Sequence, residues 1–216
     1  MRGLKEWAAL ERRAGYPEAR VYNSGMTALE KRRYTEAEYL ELERVSDTKH
    51  EFYGGEIFAM AGASEAHVLI CTNVTYRLAG QLLERPCRVY GSDMRVKVEA
   101  TGVQTYPDLS ALCGPPDFTT SSRTTLLNPS LIVEVLSKST QDYDKTEKFR
   151  QYRMIPSLLE YVLISQHEVY VEHYRRQNEN EWLARFYSTL EDTFTLESIG
   201  CTLELGQIYW KVTLEG

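Results

Sequence analysis

The six residues Leu131-Ile-Val-Glu-Val-Leu136 set the tightest limit on what this chain can fold into. Five are aliphatic, with no alternation between apolar and polar. That is the pattern of a strand covered on both faces, near the middle of a sheet. The single charge, Glu134, loses its hydration in such a strand and needs a compensating partner. Two readings are open. Glu134 either pairs with a structural arginine or caps a backbone group, or it binds a metal ion. Acids in such environments occur both in functional sites and in structural ion networks.

The neighbouring segments supply the layers around that strand. Thr35-Glu-Ala-Glu38 forms a capping box, so a short helix is expected to about Val45. Residues 50–60 carry Gly54-Gly55 between aromatic and aliphatic runs, the chemistry of a hairpin turn. Ser64 caps a long helix to about Leu83, with His67, Ile70, Cys71, Val74 and Leu78 on its buried stripe. Strands are expected at 88–98, 106–113 and 131–137, with a surface loop at 114–129. A helix over 142–154 ends before Pro156, and strands follow at 160–165 and 168–174. The last forty residues alternate like peripheral strands. This order of elements indicates an α/β fold of the α+β kind, a central mixed sheet flanked by helices.

A chain of 216 residues suits one such domain, assigned here to residues 27–216. Residues 1–26 contain Gly15, Pro17 and Gly25 and little apolar periodicity. They are expected to be a loosely attached extension, with Met26 a candidate alternative start. The 25 basic and 31 acidic side chains give a net charge of −6. That argues against non-specific coating of nucleic acid, which rests on cationic surface, while leaving room for a local basic site. Cys71, Cys87, Cys113 and Cys201 are widely spaced without a CxxC pair, so neither structural zinc nor a disulfide framework is expected. They read as small buried hydrophobes in a reducing compartment. The sequence has no membrane-length apolar run and no signal-peptide core, so the expected location is the cytoplasm, away from membranes.

A second acid bears on Glu134. Tyr106-Pro-Asp108 opens a strand, and Pro107 is tolerated at its first position. Asp108 alone could form an Asx-turn. If its strand neighbours that of Glu134, however, the two carboxylates can meet near the strand ends. One or two carboxylates, completed by water and phosphate, are the ligands Mg²⁺ favours.

With these residues in view, the chain resembles the Uma-type restriction endonucleases of the PD-(D/E)XK nuclease superfamily. The resemblance rests on Tyr106-Pro-Asp108 and Val133-Glu-Val-Leu-Ser137, whose acids are 26 residues apart (134 − 108). It extends to Tyr34-Thr-Glu-Ala-Glu-Tyr39, Glu51-Phe-Tyr-Gly-Gly-Glu56, His67, Ser92-Asp93, Asp144-Lys-Thr-Glu-Lys148 and Tyr152. The resemblance implies a restriction-endonuclease-like fold and hydrolysis of phosphodiesters in nucleic acid, DNA first, with Mg²⁺ or Mn²⁺ as cofactor. A homodimer is expected if both strands of a duplex are cut. Asp108 and Glu134 become the metal ligands, and Glu51 a third acid unless it is an exposed cross-strand partner. His67 is expected to be a satisfied core residue and Asp93 a turn or outlying acid. Lys31-Arg-Arg33 reads as a solvated helix end.

One departure from the superfamily pattern matters. The lysine expected two residues after the glutamate is Leu136, and the candidate replacement is Lys148 in the following helix. If that helix starts near Asp142 and folds back, Lys148 lies roughly 9 Å along it. Glu134 lies roughly 10 Å from the strand end at Ser137, so the two can stand level. Lys145, Lys148, Phe149 and Tyr152 share one helical face. Lys145, a turn earlier, is expected to contact phosphate. The segment from Lys138 to Arg153 holds five bases (Lys138, Lys145, Lys148, Arg150, Arg153) against three acids (Asp142, Asp144, Glu147). The competing readings are a nuclease-fold module that binds DNA or protein without cutting, and another Mg²⁺-dependent hydrolase on the same scaffold.

Overall fold

The structure, a computed structural model, describes residues 32–60, 62–119, 123–137 and 140–214. The expected extension at 1–26, together with Lys31 and Lys138, lies outside the described residues.

The capping box at Thr35 forms as the sequence implies. The Thr35 hydroxyl accepts from the Glu38 backbone and the Glu38 carboxylate accepts from Thr35, starting α1 (Glu36–Val45). The hairpin β1 (His50–Tyr53) and β2 (Glu56–Ala59) turns on Gly54 and Gly55, whose φ angles of 56° and 83° suit glycine. Helix α2 (Glu65–Gln81) starts at Ser64, whose hydroxyl accepts from the His67 backbone.

The single strand expected over 88–98 is two strands. The turn at Ser92-Asp93 separates β3 (Cys87–Gly91) from β4 (Arg95–Val98), which join different sheets. Then follow β5 (Val103–Thr105) and β6 (Leu109–Cys113), with Tyr106-Pro-Asp108 bridging them. The loop over 114–129 is not wholly on the surface. Thr125 and Leu126 form a short buried strand, β7 (Thr125–Leu126), parallel to β4.

The central strand is β8 (Leu131–Leu136), buried throughout and parallel to β9 (Glu160–Ser165). With β10 (Val171–Arg176) and β11 (Trp182–Tyr187), it completes a mixed sheet of order β11-β10-β9-β8-β6-β3. A second sheet has the order β2-β1-β5-β4-β7. A separate hairpin pairs β12 (Thr193–Leu196) with β13 (Cys201–Glu204), leading into the short α4 (Leu205–Ile208).

The strand period of two decides where β8 aims its side chains. Leu131, Val133 and Val135 face a core made with Ile70, Val74 and Leu78 of α2 and with the β12–β13 hairpin and α4. Ile132 and Leu136 face the opposite core, with Tyr152, Ile155, Leu158 and the second sheet's Val96, Val98 and Leu126. Glu134 lies between Ile132 and Leu136 in the strand, and so points to this second face.

Helix α3 covers that face and spans residues 141–152. Its first turn (Gln141–Tyr143) and last turn (Phe149–Tyr152) are α-helical, and the middle, Asp144–Lys148, is a π turn. Such widened turns often occur at functional sites.

The expectation of four free cysteines is corrected. Cys87 and Cys113 are direct cross-strand partners in the β3–β6 register and form a disulfide. Their spacing of 26 residues hid a contact that only the sheet register makes. Cys71 and Cys201 are free. The cysteines therefore no longer argue for a reducing compartment. Among the described residues, no helix is long and apolar enough to cross a membrane.

Candidate active site

The β6–β8 register brings the two strand acids together. Leu109 is paired with Val133, so one antiparallel step further places Asp108 beside Glu134. The Asp108 side chain takes over the end of the ladder: Oδ2 accepts from the Val135 N–H at 2.7 Å. The Asp108 N–H in turn donates to Glu134 Oε2 at 3.2 Å. Upstream, the Tyr106 hydroxyl donates to Glu43 Oε2 at 2.5 Å, anchoring the backbone just before Pro107 and Asp108.

Glu134 is 3 % exposed. Its Oε1 accepts from the Tyr152 hydroxyl at 2.9 Å, and that phenol shares a further hydrogen bond of 2.8 Å with Thr105. The phenol has one hydrogen and spends it on the carboxylate, so Thr105 donates to Tyr152. A relay Thr105→Tyr152→Glu134 thus holds the acid from behind. Burial pushes the Glu134 pKa up to about 8. Lys148 opposes that rise, and the nearby carboxylates of Asp108, Asp144 and Glu51 reinforce it.

Lys148 supplies the cation. Its Nζ lies 3.1 Å from Glu134 Oε1, 3.1 Å from Glu51 Oε1 and 3.3 Å from Asp144 Oδ1, and sits over the Tyr143 ring. The side chain is buried and does not snorkel to water. Burial alone would lower its pKa, but the surrounding Glu134, Glu51 and Asp144 carboxylates outweigh this and hold it well above the usual range. Lys148 is therefore a fixed cation, unsuited to act as a base near neutral pH.

Of the residues singled out from the sequence, Asp108, Glu134, Lys148, Glu51 and Tyr152 converge on this point. Glu51 is buried on β1, which excludes the reading of it as an exposed cross-strand partner. Lys145 turns elsewhere, forming an ion pair of 2.8 Å with the mostly buried Glu172. Asp93 is exposed and pairs with Lys49 at 3.0 Å. Two participants carried part of the family resemblance but were given no role in the site. Asp144 stands four residues before Lys148, an ordinary helical charge spacing that gives no sign of burial. His67 read as a core residue, yet its Nε2 meets Asp108 Oδ1 at 3.0 Å.

The donors are of the oxygen type a hard divalent cation takes, but with Lys148 among them no three of these carboxyl groups bring ligand atoms within 4.8 Å of one another among the described residues. Glu51, Glu134 and Asp144 bring three carboxyl groups around one ammonium, and Asp108 joins them through its backbone N–H to Glu134. Among the described residues, buried Glu51 Oε1 has an ion pair with Lys148 and no hydrogen-bond donor of good geometry. A surplus of buried carboxylate oxygen is what an oxygen-seeking ion such as Mg²⁺ or Mn²⁺ relieves.

Comparison with known proteins identifies the chain's family and fold. Residues 36–206 match the family model Uma2, described as "Putative restriction endonuclease". "Uncharacterized protein sll1609" of Synechocystis sp. (strain ATCC 27184 / PCC 6803 / Kazusa) is 41% identical over 149 residues, 69% of this chain and 84% of the relative. "Uncharacterized protein slr1290" of the same organism is 35% identical over 172 residues, 80% of this chain and 89% of the relative. The crystal structure of a "putative nuclease belonging to DUF820" from Anabaena variabilis ATCC 29413 superposes with a TM-score of 0.66. At 17% identity it covers 80% of this chain and 96% of that one. That likeness shows a shared fold, the restriction-endonuclease-like arrangement of mixed sheets flanked by helices. By its match over most of its length, the chain belongs to the Uma2 family of restriction-endonuclease-type proteins.

Proposed function

We propose that the protein is a Mg²⁺- or Mn²⁺-dependent endonuclease that hydrolyses phosphodiester bonds in DNA. The observation that carries this reading is the enclosure of one buried ammonium, Lys148, by Glu134, Glu51 and Asp144 where Asp108 reaches the end of β8. Asp108 and Glu134 would hold the metal, with Glu51 as a third oxygen donor. When bound, the ion neutralises charge on the phosphate and lowers the pKa of a water ligand.

The protein's own residues supply the rest. His67 and the Val135 N–H fix the Asp108 carboxylate, and Tyr152 fixes that of Glu134. Lys148 remains protonated and stabilises negative charge as it grows on the phosphate oxygens. Water adds to phosphorus as one P–O ester bond breaks, and the leaving oxygen gains a proton. Such a site is preorganised: its dipoles and charges are set before substrate arrives.

The test is incubation of the purified chain with supercoiled plasmid and with single-stranded DNA, in Mg²⁺, Mn²⁺ or chelator. Cleavage in metal, none in chelator, and none by Glu134→Gln are expected. Retention of DNA without cleavage in either metal would replace this reading with that of a silent binding module.

A further inference from the structure

Helix α2 brings a second set of donors to Asp108. His67 and Cys71 are four residues apart on the helix and so share one side of it. Asp108 approaches them from the start of β6. One ligand atom from each, an imidazole nitrogen, a thiol sulfur and a carboxylate oxygen, all lie within 4.8 Å of one another. Among the described residues this is the one such group of His, Cys, Asp or Glu. Nothing in the proposed nuclease chemistry uses Cys71.

We propose that His67, Cys71 and Asp108 form a binding site for a borderline divalent ion of the zinc type, and that its occupation withdraws Asp108 from the carboxylate–lysine site. The donor chemistry separates the two ions. Mg²⁺ seeks oxygen and has no use for a thiol, whereas zinc accepts nitrogen, sulfur and oxygen together. Tetrahedral zinc with bonds of about 2.0–2.3 Å places neighbouring donors roughly 3.3–3.6 Å apart. The trio's ligand atoms, within 4.8 Å of one another, have at most about 1.5 Å to close to reach that spacing. On binding, the Cys71 thiol proton passes to solvent and His67 carries its remaining hydrogen on Nδ1.

The fourth ligand position has access. His67, Cys71, Thr72, Ser92, Asp93 and Asp108 line part of a groove of about 560 Å³ that opens to solvent, so water or an incoming group can complete the shell. The site itself stands apart from the nuclease reading, and only its competition with Mg²⁺ rests on that reading.

Cobalt(II) tests the site, because thiolate ligation gives a near-ultraviolet charge-transfer band and tetrahedral geometry gives strong visible absorption. Metal-free protein, kept without reductant to preserve the Cys87–Cys113 disulfide, is titrated with Co²⁺. Both features should appear saturably, be abolished by Zn²⁺ and persist in excess Mg²⁺. Cys71→Ser and Cys71→Ala, each checked by its melting curve, should lose the charge-transfer band, while Cys201→Ser keeps it. A wild-type titration without the band, or a band that survives in both folded Cys71 variants, overturns the site.

Competition is read by adding Zn²⁺ to plasmid cleavage in Mg²⁺. Wild type should be inhibited at zinc concentrations at least about tenfold lower than Cys71→Ser, the scale expected from a lost ligand. Equal inhibition overturns the competition. If neither protein cleaves in Mg²⁺ alone, the nuclease reading fails and the cobalt titration still decides the site.

Discussion

Lys148 Nζ stands 3.1 Å from Glu134 Oε1, joining a helix to the strand it folds back upon. Lys148→Ala should therefore abolish cleavage. It also leaves Glu51, Glu134 and Asp144 buried without their shared cation. Breaking one partner from a buried ion cluster costs about 3–5 kcal/mol. Mg²⁺ should then raise the melting temperature of this variant more than that of wild type, since the ion replaces the missing positive charge. Plasmid cleavage by Lys148→Ala at the wild-type rate would dismiss the lysine's role.

Metal binding can be read without any substrate. A ligand at a hundred times its Kd stabilises the state that binds it by about 2.7 kcal/mol. Mg²⁺ or Mn²⁺ should accordingly raise the wild-type melting temperature. Asp108→Asn and Glu134→Gln should each remove that rise and still fold. A wild-type melting curve indifferent to both ions would count against the metal site.

The raised pKa of Glu134 predicts how metal-free stability responds to pH. Its usual value is 4.5, and burial first of all raises it to about 8. Between these values the native state holds a proton that the unfolded chain has released, so stability falls as pH rises. The contribution is fully present below about pH 4.5 and gone above about pH 8, with a slope of at most about 1.4 kcal/mol per pH unit. Melting curves in chelator across this window should show the fall, and Glu134→Gln should flatten it. An identical pH dependence in the variant would assign the titration to another group.

Lys145 separates binding from chemistry. Its ion pair with Glu172, at 2.8 Å, aims it away from the Lys148 cluster. Contact with a phosphate requires it to leave that partner. Lys145→Ala should raise KM, more so at low salt, and leave kcat near wild type. A loss confined to kcat would place Lys145 in the chemistry instead.

Local chemistry made much of this arrangement legible. The capping box at Thr35, the Gly54-Gly55 turn and the Ser64 cap each act within a few residues, so the sequence alone marks them. The aliphatic run around Glu134 likewise marks a central strand. What escaped depends on partners distant in sequence. The Cys87–Cys113 disulfide exists only because β3 and β6 pair in that register. The break between β3 and β4 sends two halves of one expected strand into different sheets. His67 and Cys71 fit a buried helical stripe whether or not an acid faces them, and Asp108 does so only once β6 is in place. The π turn that holds Asp144 and Lys148 leaves no mark in residue pattern, since Asp144-Lys-Thr-Glu-Lys148 reads as ordinary helix.

Tyr152 offers the sharpest division between structure and chemistry. Its hydroxyl is the middle of the Thr105→Tyr152→Glu134 relay, while its ring packs edge-on to Tyr161 at 5.5 Å. Tyr152→Phe keeps the ring and deletes the relay. Glu134 then loses a donor that favours its ionised form, so its pKa should rise further above about 8. Below about pH 8 the carboxyl is protonated and the lost hydrogen bond costs about 0.5–1.5 kcal/mol, rising to about 1.5–3 kcal/mol where Glu134 is ionised. A purely structural role would end there. If the relay sets the charge state of a metal ligand, the rising limb of the pH–rate profile should also move to higher pH. At neutral pH cleavage should drop by about tenfold for each unit of that movement. Raising the pH should restore much of the lost rate in the variant. An unshifted profile, with stability alone reduced, would leave Tyr152 a packing residue.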